Sequence, residues 1–285
     1  MATTPAAAPA LATRGPEPLI ITVAPNGAHK QADAHPALPL TPQALAAETR
    51  RCLDAGAAML HLHIRDADGR HSLDVDGYRA ALRAVHAAVG NEVVLQVTSE
   101  AAKVYQAPAQ IAMVRALKPE AVSIGLREVD VPAVGAAGLR DFFGWLAGEG
   151  VMTQVILYDV ADLQRWQALR ADGTVPDAPW FLLFVLGRYS AGQTSSPHDL
   201  LPFVQAHRSA EPWAMCAFGP TEHACAVTAA ALGGHVRVGF ENNLFLRDGQ
   251  VAPHNAALVA QVADAAQVLG RPLARAADVR RLFGR

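Results

Sequence analysis

Eight short β-rich runs recur along the chain with helical segments between them, and this alternation limits the available folds more than any other feature. The runs lie at Leu19–Ala24, Met59–Ile64, Val93–Thr98, Ala121–Ile124, Thr153–Leu157, Phe181–Leu186, Trp213–Phe218 and Val236–Glu241. Strand–helix units about 30–40 residues apart, with no break in composition, favour parallel strands closed into one α/β domain, a (β/α)8 TIM barrel. A doubly wound open sheet is the competing arrangement, but no GxGxxG fingerprint follows the first run. Pro42–Ala55 and Asp76–Val89 carry helical apolar spacing. Thr41 supplies an N-cap with Pro42 at the first helical position, and Asp54-Ala55-Gly56 supplies a glycine stop. Beyond Gln250, Asn255–Leu269 reads as the final helix and the remainder as a tail.

A length of 285 residues suits one barrel, with residues 18–285 as the expected domain, and 51% hydrophobic content is ample for its core. The formal charge of −2 leaves no basic footprint, which argues against nucleic acid as the main partner. Cys52, Cys216 and Cys225 form no CxxC pair, so a reducing cytoplasm is expected rather than a disulfide framework. Residues 1–17 are rich in Ala, Pro and Thr and lack the apolar core of a signal peptide; they read as a disordered lead-in. No run approaches the ~20 apolar residues of a membrane span.

Chemistry concentrates in two of the runs. In Met59-Leu60-His61-Leu62-His63-Ile64 the period of two sets both imidazoles on one face and Leu60, Leu62 and Ile64 on the other. The turn residues Asp66-Ala67-Asp68-Gly69 place the pair at the carboxyl end of its strand, where parallel α/β folds bind ligands. Two such histidines can grip a divalent metal; the plain alternative is a pair of hydrogen-bonded core histidines. In the eighth run, Val236, Val238 and Phe240 share one face, and His235, Arg237, Gly239 and Glu241 the other. Arg237 then points into the barrel, where an unpaired charge is expensive. Glu241 stands at the upper rim, placed to complete a His-His-Glu site, with a structural Arg237–Glu241 salt bridge as the alternative.

The chain resembles the β-keto acid cleavage enzymes, typified by 3-keto-5-aminohexanoate cleavage enzyme. The matching runs are Ile21-Thr22-Val23-Ala24-Pro25-Asn26-Gly27-Ala28, His35-Pro36-Ala37-Leu38-Pro39-Leu40-Thr41-Pro42, Ala55–Arg65 and Gly233–Asn243, with similarity continuing through Asn255–Val259. The resemblance implies a zinc-dependent TIM barrel, usually a homotetramer. Such enzymes condense a β-keto acid with acetyl-CoA and release acetoacetate and a new acyl-CoA. His61, His63 and Glu241 match the zinc ligands, and Arg237 matches the catalytic arginine.

Departures from the family pattern fall in the substrate-facing loops. The usual Glu-Asp-Asn is here Glu241-Asn242-Asn243, so Asn242 retains hydrogen bonding but loses a negative charge beside Arg237. After the third strand, Thr98 and Ser99 keep the family's hydroxyls for substrate or thioester oxygens, while Glu100-Ala101 replaces two glycines. Glu100 reads first as a solvated loop acid and second as a replacement carboxylate. A glutamate of the fifth strand is absent from Gln154-Val155-Ile156-Leu157, and Gly125–Glu128 and Ala217–His223 also depart from the pattern. Asn26, His29 and Glu100 are the candidate substrate contacts. His29, with Lys30 beside it, suits a neutral or anionic substrate side chain better than a cationic one.

His35 is assigned to the turn before Pro36, His86 and His207 to solvated helix faces, and His235 and Cys216 to structural roles. A zinc hydrolase of the amidohydrolase class needs histidines on strands five and six, and neither run has one. A metal-dependent aldolase that ignores CoA, and a metal-binding barrel that binds ligand without turnover, remain as alternatives.

Overall fold

A computed structural model describes residues 17–284. Residues 1–16 of the expected lead-in lie outside the described residues. Eight parallel strands close into a barrel: β1 (Ile21–Val23), β2 (Met59–Leu62), β3 (Val94–Thr98), β4 (Ala121–Gly125), β5 (Met152–Leu157), β6 (Phe181–Leu186), β7 (Trp213–Ala217) and β8 (His235–Val238). Each pairs with its sequence neighbour, and β1 closes the ring by pairing with both β2 and β8. The register sets Thr22 beside Met59 on one side and beside Arg237 on the other. The TIM barrel expected from the alternation is therefore the fold.

Local signals act where they were read. Helix α1 (Pro42–Asp54) is capped by Thr41, whose hydroxyl accepts from the Ala44 amide at 3.2 Å. Helix α2 (Val75–Val89) starts one residue before the expected Asp76, capped by Asp74, whose carboxylate accepts from the Gly77 amide. Leu60, Leu62 and Ile64 join the apolar layer between strands and helices, opposite the two histidines.

The barrel interior is layered. Met59, Val94, Met152 and Phe181 fill its lower half as one apolar cluster. Two residues further along β2, β3 and β5, on the same face, stand His61, Gln96 and Gln154, all buried. On β6 and β7 the same step brings Leu183 and Cys216, so the polar layer occupies only part of the circumference.

Two differences from expectation shape the ends of the barrel. The eighth strand ends at Val238 instead of reaching Glu241. Gly239 turns the chain out of the sheet at φ +143°, and a Cβ there would lie 2.4 Å from the Ala24 carbonyl oxygen. The expected tail is ordered: Leu273 bridges Leu19, and a helix over Ala276–Leu282 closes the lower end of the barrel. Its neighbour Phe283 packs on Phe181 with ring centroids 5.3 Å apart.

Candidate active site and metal centre

At the carboxyl ends of the strands, His61, His63 and Glu241 converge. The imidazole Nε2 atoms are 3.2 Å apart, and Glu241 Oε2 lies 3.5 Å from His61 Nε2 and 3.3 Å from His63 Nε2. A tetrahedral divalent ion such as zinc, with ligands at about 2.0–2.1 Å, separates its ligand atoms by about 3.3 Å, so this triangle fits one face of such a site. The chemistry of the atoms agrees. Among the described residues the buried Glu241 Oε2 has no hydrogen-bond partner, and two ring nitrogens in such close contact need a cation or a proton between them.

The surrounding residues hold the triangle open. Burial and the nearby Arg237 charge push His61 down to about 3, so its ring is neutral at physiological pH. Its Nδ1 bonds Gln96 Oε1 at 2.9 Å, which turns the Nε2 lone pair toward the centre. The Asn26 side chain grips the end of β2: Nδ2 donates to the carbonyls of Pro39 and His63, and Oδ1 accepts from the His63 amide. Burial disfavours charge on Glu241, yet Arg237 and the two imidazoles hold its carboxyl well below the usual range. Gly27, at φ +63°, leaves room for Glu241: an added Cβ would lie 2.7 Å from Glu241 Cγ.

Arg237 points inward as the alternation requires and is 3% exposed. Its Nη2 donates to Glu241 Oε1 at 3.1 Å and to Cys216 Sγ at 3.5 Å. Nε and Nη1 are buried with no protein partner among the described residues. A buried guanidinium with two free donors is a receptor for an oxyanion.

Glu100 is not the solvated acid that its loop position suggested. It is 18% exposed, with Oε1 3.4 Å from Arg188 Nη2 and 3.5 Å from His29 Nε2, and Oε2 3.9 Å from His63 Nε2. Burial opposes its charge, but His29, His63 and Arg188 bring its carboxyl down to about 2. Its loop is held from behind by Thr98 Oγ1, which accepts from the Glu100 amide, and by His71, which bonds the Glu100 carbonyl oxygen.

The two hydroxyls after β3 part company. Thr98 lines the cleft, whereas Ser99 donates its hydroxyl to the Ser123 carbonyl and is absent from the cleft lining. Adjacent residues of an extended chain face opposite ways, so both could not serve the site. Asn242 is buried beside Glu241, neither side-chain amide atom is bonded among the described residues, and it too is absent from the lining.

Arg188, Glu128 and Tyr158 line the cleft, and Gln96 and His71 support it; none was singled out by sequence reasoning. Gln96 had a usable signal, standing two residues before Thr98 on the same strand face. His235 is structural as expected, its Nδ1 accepting from the Ile20 amide at the lower end. His35 is buried, bonded to Ala252 and set against Phe240.

The three cysteines are free. No helix among the described residues is long and apolar enough to cross a membrane.

Comparison with known proteins joins these observations. The chain is 28% identical over 275 residues to 3-keto-5-aminohexanoate cleavage enzyme of Acetoanaerobium sticklandii, covering 94% of this chain and 98% of that one. It is 28% identical over 276 residues to 3-oxoadipate:acetyl-CoA acetyltransferase of Cupriavidus necator, covering 94% and 95% respectively. Among solved structures, the ternary complex of ObcA with a C4-CoA adduct and oxalate superposes with a TM-score of 0.71 at 20% identity, over 88% of this chain and 68% of that one, a likeness of fold. The family model for beta-keto acid cleavage enzyme matches residues 18–284, which takes in all eight strands and His61, His63 and Glu241. The chain belongs to the β-keto acid cleavage enzyme family.

Proposed function

We propose that this protein transfers an acyl group from a β-keto acid to CoA, consuming acetyl-CoA and releasing acetoacetate, with zinc held by His61, His63 and Glu241. The observation that carries the reading is the metal-sized ligand triangle directly beside Arg237, whose Nε and Nη1 are buried and free. The name of the Cupriavidus necator relative supports acetyl-CoA as co-substrate. The family resemblance further supports a cytoplasmic homotetramer, which sedimentation of the purified protein tests.

In this reading a β-keto acid, R–CO–CH2–COO⁻, presents its carboxylate to Arg237 Nε and Nη1. Zinc bound at the triangle supplies Lewis-acid stabilisation for the charge that develops on the substrate oxygens. Glu100 Oε2, on the triangle-facing side of its loop, is the carboxylate placed to accept the proton from the carbon between the two carbonyls, and its low proton affinity means that the positive charge of Arg237 must acidify that carbon. Asn242 cannot take that part because an amide is no base, and Arg237 is held cationic. The Thr98 hydroxyl stands in the cleft to donate to the thioester oxygen.

The carbanion attacks the acetyl-CoA carbonyl, forming a carbon–carbon bond and expelling CoA thiolate. The thiolate then adds to the R–CO carbon. Cleavage of the bond between that carbon and the former carbanion carbon gives R–CO–SCoA and the enolate of acetoacetate, which takes back the proton. Atoms balance: the two products contain only what the two substrates brought.

The test is mass spectrometry of zinc-loaded protein incubated with acetyl-CoA and several β-keto acids. The reading predicts a new acyl-CoA and acetoacetate in equal amounts. Cleavage of the keto acid that continues without acetyl-CoA would replace it with an aldolase.

A further inference from the structure

Each charged side chain in the cleft has a polar partner within the protein, and part of the wall away from the His61–His63–Glu241 triangle is apolar. The Arg188 guanidinium, from the loop after β6, bonds His29 Nε2 at 2.9 Å and Glu100 Oε1 at 3.4 Å, and it lies 5.3 Å from the Phe218 ring centre. Lys30 Nζ donates to the Glu241 carbonyl oxygen at 2.7 Å. Glu128 Oε2 accepts from the Ala101 amide at 3.1 Å and from Gln110 Nε2 at 2.7 Å. The ends of β5, β6 and β7, the last of them next to β8, line the same cleft with Ile156, Val185 and Phe218. These three belong to one apolar cluster with the barrel interior.

This division gives the substrate a direction. A β-keto acid whose carboxylate and keto oxygen face Arg237 and the metal triangle leaves its substituent R toward the apolar wall. We infer that the protein takes β-keto acids whose R group is uncharged and apolar, seated against Ile156, Val185 and Phe218. The inference rests on the β-keto acid reading of the site and narrows it.

Charge matching sets the selectivity. An R group bearing a carboxylate would have to share the Arg188 guanidinium with Glu100, bringing two carboxylates together in a largely buried position. An R group bearing an ammonium would have to share Glu100 with Arg188. Either way, like charges are brought together where little water screens them. An alkyl group leaves the Arg188–Glu100–His29 network intact and removes apolar wall from water.

Three six-carbon acids isolate the charge of R at equal chain length: 3-oxohexanoate (neutral), 3-oxoadipate (anionic) and 3-keto-5-aminohexanoate (cationic). With zinc-loaded protein and acetyl-CoA, kcat/KM for 3-oxohexanoate is expected to exceed the other two by about tenfold or more. Phe218→Ala is expected to raise KM for 3-oxohexanoate with a smaller change in kcat. Calorimetric titration of each acid into the zinc-loaded protein without acetyl-CoA ranks affinity independently of turnover. If 3-oxohexanoate binds most tightly but no acyl-CoA forms, the substituent assignment stands and the acyl-transfer reading fails. If either charged acid binds more tightly or turns over faster, or if none of the three binds, the assignment is overturned.

Discussion

Gln96 Oε1 and His61 Nδ1 are joined by a buried hydrogen bond of 2.9 Å, and Gln96 Nε2 continues the chain to Gln154 Oε1 at 3.4 Å. The polarity of this chain is set at one end: a metal on His61 Nε2 requires a proton on Nδ1, which requires the oxygen of Gln96 to face it. Gln154 Nε2 is then left as a buried donor without a protein partner among the described residues, as the structure has it. A ligand-aligning role for Gln96 predicts that Gln96→Ala weakens zinc binding by about 10–100-fold. Competition with a fluorescent chelator measures this directly, and an unchanged affinity would remove Gln96 from the metal's support.

Arg237 is expected to act through its fork of donors and not through charge alone. Arg237→Lys keeps the charge but loses the paired Nε and Nη1 geometry that faces the cleft. The expected outcome is a fall in kcat/KM of about 100-fold, with zinc content unchanged. Steady-state kinetics paired with metal analysis of the variant check both halves; near-normal kinetics would show that a point charge suffices.

Acid should destabilise the metal-free protein through its buried imidazoles. Burial lowers His61 to about 3, His71 to about 4 and His235 to about 3, the first two helped by nearby positive charge from Arg237 and His63 respectively. In the unfolded chain each titrates near 6.5. Between those values the unfolded state binds more protons, so stability falls as pH drops from about 6.5 toward 4. Urea unfolding of metal-free protein across this range should show a steadily falling midpoint. His235→Asn, at the other end of the barrel from His61, His63 and Glu241, should flatten part of the slope.

Glu222 has the opposite sign. It is buried, bonded to the Gly239 amide and to Asn243, and burial raises its carboxyl to about 8. Between about 4.5 and 8 the folded state holds the extra proton, so this group's contribution declines as pH rises. Glu222→Gln removes that titration, and the variant should gain stability relative to the parent protein between pH 5 and pH 8.5. Thermal unfolding of both proteins at the two pH values checks it; a constant difference would mean that Glu222 is ionised throughout.

The legible parts of this molecule are those governed by a short period. Alternation along β2 placed His61 and His63 on one face, and the same rule turned Arg237 inward. The rule also contained a warning about Thr98 and Ser99, which as neighbours could not both face the cleft. Glu241 was identified from its spacing although the strand ends three residues earlier, because the turn at Gly239 carries it back over the triangle.

The cleft wall was not legible in the same way. Arg188 and Glu100 sit on loops with no period, and they meet only because closure of the barrel brings the β3 and β6 loops over one opening. The helix over Ala276–Leu282 is too short to be stable by itself and gains its order from the barrel end on which it packs.

The central claim is acyl exchange, and the most direct measurement follows carbon from acetyl-CoA labelled with 13C at both acetyl positions. Zinc-loaded protein and an unlabelled β-keto acid should give acetoacetate labelled at its methyl and keto carbons and unlabelled at the other two, with an unlabelled new acyl-CoA. Unlabelled acetoacetate, or cleavage of the keto acid with the acetyl label left in acetyl-CoA, would contradict the account.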